Sequence, residues 1–227
     1  MKSHSSIRHV AIAAILLCLP FGIIAKESEH APKSKISPAK ALELLKAGNQ
    51  RFVAGKLEHP RQTAKRRTEL ATGQQPFAVV LGCADSRTAP EVLFDQGLGD
   101  VFVIRVAGNV LNDETIGSIE YAVDHLGAPL IVVLGHERCG AIAAARDTIA
   151  AKTEAPGHIQ SLVRAIAPVV EATSALDAEA TAKANEMHVA EELRNSEPLL
   201  KEMIGKGEVT VVAAHYDLDT GAVEFLK

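Results

Sequence analysis

The sequence predicts an α/β protein with a central, mostly parallel β-sheet, because two patterns alternate along the chain. Three short apolar runs, at 77–82 (FAVVLG), 101–108 (VFVIRVAG) and 130–135 (LIVVLG), are almost continuously hydrophobic. Such runs are typical of parallel strands that are covered on both faces. Segments of helical character, APEVLFDQG and TIGSIEYAVDHLG, separate the runs. The predicted order of elements is therefore βαβαβ, with helices flanking the sheet.

The segments on either side of this core complete a single predicted domain, residues 38–227. Ser37-Pro38 predicts the start of an N-terminal helix, because proline is favoured at the first helical position. The region 159–204 predicts two or three more helices. The last segment, EVTVVAAHYDLDTGAVEFL, predicts two strands joined by the turn Asp219-Thr220-Gly221, and hence a hairpin at the edge of the sheet.

The first 37 residues differ in composition from the rest. Residues 1–25 place basic residues before an apolar run of 15 residues at 10–24, and a polar stretch follows. This order is typical of a secretory signal peptide, and the run is shorter than the roughly 20 apolar residues that a membrane-spanning helix needs. We therefore expect a periplasmic protein with no stable membrane insertion after processing. Residues 26–37 are polar and predict a flexible arm.

The charge argues against a nucleic-acid partner. Residues 26–227 keep all 28 acidic residues but 22 of the 24 basic ones, a net charge of −6 with histidine neutral. A chain with this balance does not attract phosphate backbones or anionic lipid. We expect no nucleic acid among its partners.

Potential metal ligands follow two of the predicted strands. Cys83 and Asp85 come directly after the first strand, and His136 and Cys139 follow the third. In an open parallel sheet, ligands bind beyond the carboxyl ends of the strands. Two thiols, an imidazole and a carboxylate match the ligand preferences of Zn²⁺. The sequence therefore predicts one Zn²⁺ per chain.

Three other interpretations of these residues stay open. Two cysteines in an exported protein usually form a disulfide, although a Cys83–Cys139 bond would leave His136 and Asp85 without a role. A redox dithiol usually has its cysteines in C-x-x-C, whereas these lie 56 residues apart. A non-catalytic, zinc-stabilised module would keep four permanent protein ligands.

The chain resembles the β-class carbonic anhydrases. CADSR (83–87) matches the C-x-D-x-R motif of that family and GHERCG (135–140) matches its H-x-x-C motif, and the resemblance extends from about residue 42 to the terminal YDLDTG. It implies three constant zinc ligands, Cys83, His136 and Cys139.

The resemblance further implies a gate at the metal. Asp85 would be an exchangeable fourth ligand, and Arg87 would pair with Asp85 whenever that carboxylate leaves the metal and opens a position for water. The implied activity is the reversible hydration of CO₂ to bicarbonate and a proton by zinc-bound hydroxide. Hydrolysis of CS₂ or COS at the same site is the alternative. The candidate proton relays are His59, His125, His158, His188 and His215, and the sequence does not choose among them.

A substrate pocket across a dimer interface is also implied by the resemblance. Gln74, Phe102 and Tyr121 fall at pocket positions of the family, and the backbone around Gly140 would help to bind substrate. We accordingly expect a homodimer or a higher homo-oligomer.

One departure from the family concerns a second, non-catalytic bicarbonate site. Members with that site carry a tryptophan where this chain has Val80, although Arg105 and Tyr216 match the other two side chains. We therefore do not expect inhibition by bicarbonate at that place.

Overall fold

The computed structural model describes residues 36–226. The signal peptide predicted at 1–25 and the arm residues 26–35 lie outside the described residues, so both stay predictions. No helix in the described part of the chain is long and apolar enough to cross a membrane.

One five-stranded sheet forms the centre of the protein, in the order β2-β1-β3-β4-β5. Its strands are β1 Ala78–Gly82, β2 Val101–Arg105, β3 Leu130–His136, β4 Thr210–Tyr216 and β5 Val223–Phe225. The first four are parallel, and β5 runs antiparallel to β4. The predictions of a mostly parallel sheet and a C-terminal edge hairpin are therefore confirmed.

Helices cover both faces of this sheet. They are α1 Pro38–Val53, α2 Ala64–Leu70, α3 Pro90–Leu93, α4 Asp113–Asp124, α5 Gly140–Ala151, α6 Ile159–Ala172, α7 Ala178–Asn195 and α8 Leu199–Gly205. The first begins where Ser37-Pro38 predicted, since the Ser37 side chain accepts a hydrogen bond from the Lys40 amide. The region 159–204 contains α6, α7 and most of α8.

The core consists of one apolar layer on each face of the sheet and a third apolar cluster, in which Cys83 and Cys139 pack with residues of α5 and α6. Val79 and Leu81 of β1 pack with residues of α4, α7 and α8, while Val80 packs on the opposite face with residues of α1 and α3. Every residue of β1 and β3 is buried. Burial of both faces explains why these two strands read as continuous apolar runs.

The prediction for the second strand was wrong in two respects. The strand β2 ends at Arg105 rather than at residue 108, because Gly108 adopts a left-handed conformation (φ 70°) within a short 3₁₀ turn at Ala107–Asn109. In addition, β2 is only half-buried, since it forms one edge of the sheet. This strand is not covered on both faces within a single chain.

Candidate metal centre

The end of β1 leads into a tight turn that carries the first potential ligands. Cys83 is buried directly beyond the strand, and Asp85 is half-buried two residues later. The Thr88 amide donates to the Asp85 carbonyl (3.1 Å), which closes the turn, and α3 then begins at Pro90. The two side chains are thereby positioned at the carboxyl edge of the sheet.

The end of β3 supplies the other two donors. His136 is the last residue of that strand, and Cys139 is the N-cap of α5. Between them, Arg138 takes a left-handed conformation (φ 52°). The ligand atoms of Cys83, His136 and Cys139 all lie within 4.8 Å of one another.

His136 presents one ring nitrogen to this cluster without a partner. Its Nδ1 lies 2.8 Å from the Glu137 carbonyl oxygen, which fixes the proton on Nδ1 as a donor. Its Nε2 is buried and has no hydrogen-bond partner within residues 36–226. Buried polar atoms are rarely left unpaired, and a metal-bound histidine commonly donates its other N–H to a carbonyl. Together with two sulfurs, this nitrogen forms a donor set that can hold a metal ion.

The two cysteines are free, buried thiols, so the structure contains no disulfide between them. A hydrogen bond from the Cys139 thiol is the largest cause that lowers the pKa of Cys83. The same bond, and then burial, raises the pKa of Cys139. The Gly108 amide also donates to the Cys83 sulfur (3.3 Å), and the buried Asn185 side chain holds Gly108 by donating to its carbonyl (3.0 Å). Cys83 is therefore supported as a thiolate, the form that binds metals.

Asp85 and Arg87 form a two-point ion pair beside the donor set. Arg87 Nε lies 2.9 Å from Asp85 Oδ1, and Arg87 Nη2 lies 2.7 Å from Oδ2. The Arg87 guanidinium holds the pKa of the Asp85 carboxyl well below its usual range. Asp85 Oδ2 also lies 3.9 Å from His136 Nε2. The structure thus brings all four predicted ligands and Arg87 together, with the carboxylate paired to the arginine.

The predicted pocket residues do not join this cluster within one chain. Phe102 pairs in register with Val79, four residues before Cys83, which is about 13 Å along a strand. The Tyr121 ring lies 6.4 Å from that of Phe102 and stacks on His125 at 5.1 Å.

Gln74 and Gly140 are both exposed, but at different places. Gln74 and His125 line one cavity of about 510 Å³, which does not include a predicted ligand. Gly140 is the first residue of α5, next to Cys139, and has open space beside it.

Arg105 supports the ligand-bearing turn, a role that sequence reasoning missed. Its Nε donates to the Cys83 carbonyl (2.9 Å) and its Nη2 donates to the Asp85 carbonyl. No sequence motif joins Arg105, at the end of β2, to Cys83 and Asp85, which lie in the turn after β1. The resemblance indicated Arg105 only as part of a bicarbonate site.

A buried polar cluster on α7 was also missed. His215, one of the candidate proton relays, places Nδ1 2.7 Å from Glu186 Oε1. Its Nε2 lies 2.7 Å from Glu179 Oε1, although not in line for a hydrogen bond. His215 of β4 thus faces two acidic side chains of α7.

The fold and the donor set define a class of protein, the α/β proteins with a buried donor set of two cysteines and one histidine at the edge of the sheet. The model of the family described as "Carbonic anhydrase" matches residues 78–223. Carbonic anhydrase 2 of Mycobacterium tuberculosis is 44% identical over 193 residues, which cover 82% of this chain and 91% of that relative. The carbonic anhydrase of Mycolicibacterium smegmatis is 40% identical over 191 residues, with coverage of 83% and 93%.

A solved structure agrees with these relatives. A tetrameric β-carbonic anhydrase from Sordaria macrospora has a TM-score of 0.65 and 26% identity, covering 82% of this chain and 97% of that one. The chain belongs to the carbonic anhydrase family, in its β class, and is an enzyme of that family.

Proposed function

We propose that this protein is a zinc enzyme that hydrates CO₂ reversibly to bicarbonate and a proton, with one zinc ion per chain. The observation that carries the proposal is the buried set of two sulfurs and one unpartnered imidazole nitrogen within 4.8 Å. Cys83, His136 and Cys139 would hold the ion. When bound, zinc lowers the pKa of water and so supplies a nucleophile near neutral pH.

Asp85 and Arg87 act as the gate of this site. A catalytic zinc needs an open position, whereas four protein ligands make a closed, structural site. In the arrangement described here the Asp85 carboxylate is bound to Arg87, which leaves three protein donors. Arginine suits this role, because it stays charged and binds a carboxylate through two parallel hydrogen bonds.

Asp85 remains an anion while Arg87 holds it, since the guanidinium depresses its pKa. Its Oδ2 stays 3.9 Å from His136 Nε2 and therefore borders the reaction site. A carboxylate there would accept a hydrogen bond from an attacking water or hydroxide and orient it toward CO₂. If Asp85 turned away from Arg87, the same carboxylate would be placed to act as a fourth protein ligand and close the site.

The substrate pocket is completed by a neighbouring subunit. Phe102 and Tyr121 pack together at the half-buried edge strand β2, and the Tyr121 side chain is 47% exposed. A second copy that covers this edge would bury the aromatic pair and bring Gln74 to the neighbouring metal site. The Sordaria macrospora relative is described as tetrameric, which supports a homodimer or a higher homo-oligomer here.

The protein is exported to the periplasm and loses residues 1–25. The support for this part of the proposal is the basic start, the apolar run of 15 residues and the polar stretch that follows.

Stopped-flow measurement of CO₂ hydration tests the proposed function. Purified protein beginning at residue 26, with its zinc quantified, should hydrate CO₂ far above the uncatalysed rate. A preparation with one zinc per chain and no hydration from neutral to alkaline pH would exclude the enzyme. The same preparation assayed with CS₂ and COS tests hydrolysis at this site.

A further inference from the structure

Two side chains from different elements converge on the backbone of the ligand-bearing turn. Arg105, the last residue of β2, donates to the carbonyls of Cys83 and Asp85. The Thr88 hydroxyl lies 3.3 Å from the Cys83 carbonyl and 3.0 Å from the Asp85 carbonyl, within donating distance of either. The main-chain carbonyls of Cys83 and Asp85, the residues on either side of Ala84, are therefore both held by side-chain donors.

Arg105 makes these contacts instead of an ion pair. Within residues 36–226, none of the ion pairs described involves Arg105, and its hydrogen bonds go to main-chain oxygens. A charged donor makes a stronger hydrogen bond to a carbonyl than a neutral donor does. The guanidinium is thus committed to the turn and is not available as an anion receptor at the bicarbonate position of related proteins.

The backbone that Arg105 holds carries both a constant ligand and the movable one. Cys83 must keep its sulfur in the donor set, while Asp85 must exchange between Arg87 and the metal. With the carbonyls of Cys83 and Asp85 held, the exchange of Asp85 proceeds by rotation of its side chain rather than by movement of the turn. Because the main chain is held, the Asp85 carboxylate alternates between two positions, one at Arg87 and one at the metal. The proposed gate requires this pre-organisation.

We propose that Arg105 is a positioning residue, which together with Thr88 clamps the carbonyls of Cys83 and Asp85 so that the turn stays rigid while the Asp85 side chain exchanges. This inference rests on the gate described under the proposed function. Arg105 does not touch the substrate, and it acts through the two residues whose backbone it holds.

Substitution of Arg105 separates this role from a general effect on stability. In Arg105→Ala we expect zinc affinity to fall about 10- to 100-fold, as when outer partners of metal ligands are removed. We also expect kcat to fall about tenfold with the KM for CO₂ unchanged, because the pocket itself is intact. Arg105→Lys retains one charged donor and should recover part of both losses. Arg164→Ala, at an exposed arginine of α6, is the matched control and should behave as wild type.

Zinc affinity is measured by competition with a chromogenic chelator, and folding by circular dichroism and thermal unfolding. Thr88→Val, which removes the hydroxyl, should reproduce the defect in weaker form, while Thr88→Ser should not.

Folded Arg105→Ala and Thr88→Val proteins with wild-type zinc affinity and kcat would overturn the clamp. If wild-type protein itself does not hydrate CO₂, the proposed function fails, whereas an active wild type with unaffected variants refutes only the clamp. Should Arg105→Ala not fold, Arg105→Lys and Thr88→Val decide the question by the same measurements.

Discussion

Glu186 Oε1 lies 2.7 Å from His215 Nδ1, which joins α7 to β4 through two side chains that are almost fully buried. Burial raises the pKa of Glu186 to about 7, despite the opposing effect of His215. Burial lowers the pKa of His215, but the hydrogen bond and the charge of Glu186 outweigh it, and the net shift is upward. Both groups therefore bind protons more tightly in the folded protein than in the unfolded chain.

The pair should make stability fall as pH rises. Its stabilising contribution is fully present below the ordinary glutamate pKa of 4.5 and is lost as pH increases through about 7. From pH 5 to pH 8 we expect the free energy of unfolding of wild type, relative to Glu186→Gln, to fall by about 1–3 kcal/mol. Urea unfolding of both proteins at a series of pH values, with zinc in excess, measures this difference. A difference that does not depend on pH would contradict the assignment.

Gly135 should not tolerate a side chain. A Cβ atom there would lie 2.0 Å from Glu186 Oε1, and the carboxylate cannot move away without breaking its bond to His215. We expect Gly135→Ala to lower the free energy of unfolding by about 1–3 kcal/mol. The control is Gly117→Ala in α4, where the added carbon meets nothing within 4 Å. Equal unfolding midpoints for the two variants would show that the contact is not tight.

Cys139→Ser should abolish the metal site. The variant keeps the size of the side chain but replaces a sulfur donor with a hydroxyl, a poor ligand for zinc. We expect zinc content to fall from one per chain to a small fraction of that value, and CO₂ hydration to fall at least about 100-fold. Metal analysis and stopped-flow kinetics on the same preparation check both. Full activity without bound metal would remove the basis of the proposed function.

Arg87→Ala should impair catalysis while leaving the zinc in place. Without the guanidinium, the pKa of Asp85 rises toward the usual aspartate value of about 3.9, so the carboxylate is still ionised at pH 7. Only the main-chain amide of residue 87, which donates to Asp85 Oδ1 (3.0 Å), would then compete with the metal for the carboxylate, so Asp85 would spend more time as the fourth ligand. We expect hydration at pH 7 to fall about 10- to 100-fold with zinc content unchanged. Arg87→Lys keeps the charge without the two-point contact and should be intermediate, and wild-type rates in Arg87→Ala would refute the gate.

Subunits with complementary defects should restore one another if the pocket is shared. Gln74→Ala damages the pocket, and Cys139→Ser removes the metal. A mixed dimer of the two variants contains one complete site, so unfolding and reassembly of an equal mixture should recover about one quarter of wild-type activity, from the symmetry of random pairing. Activity no higher than the mean of the two separate variants would place the pocket within one chain.

The order of helices and strands along the chain and the donor set could be predicted, because both leave local signals in the sequence, whereas the order of the strands within the sheet was not predicted. Buried parallel strands read as apolar runs, and Cys83 and His136 follow two of those runs directly. The end of β2 gave no clear signal, because apolar residues resume directly after Arg105, while Gly108 turns the chain out of the sheet. The roles of Arg105 and Glu186 depend on contacts between residues 22 and 29 positions apart. Such pairings follow from the packing of strands and helices, and no spacing along the chain encodes them.

The hydrogen bonds from Asn185 to Gly108 and from Gly108 to Cys83 have a consequence for how this protein can be altered. They connect a helix of the outer layer to a sulfur in the catalytic interior through just two links. The hydrogen bond to that sulfur therefore depends on where α7 lies against the sheet. Repacking this helix, even far from the opening of the site, should change how readily the Cys83 sulfur serves as a metal ligand.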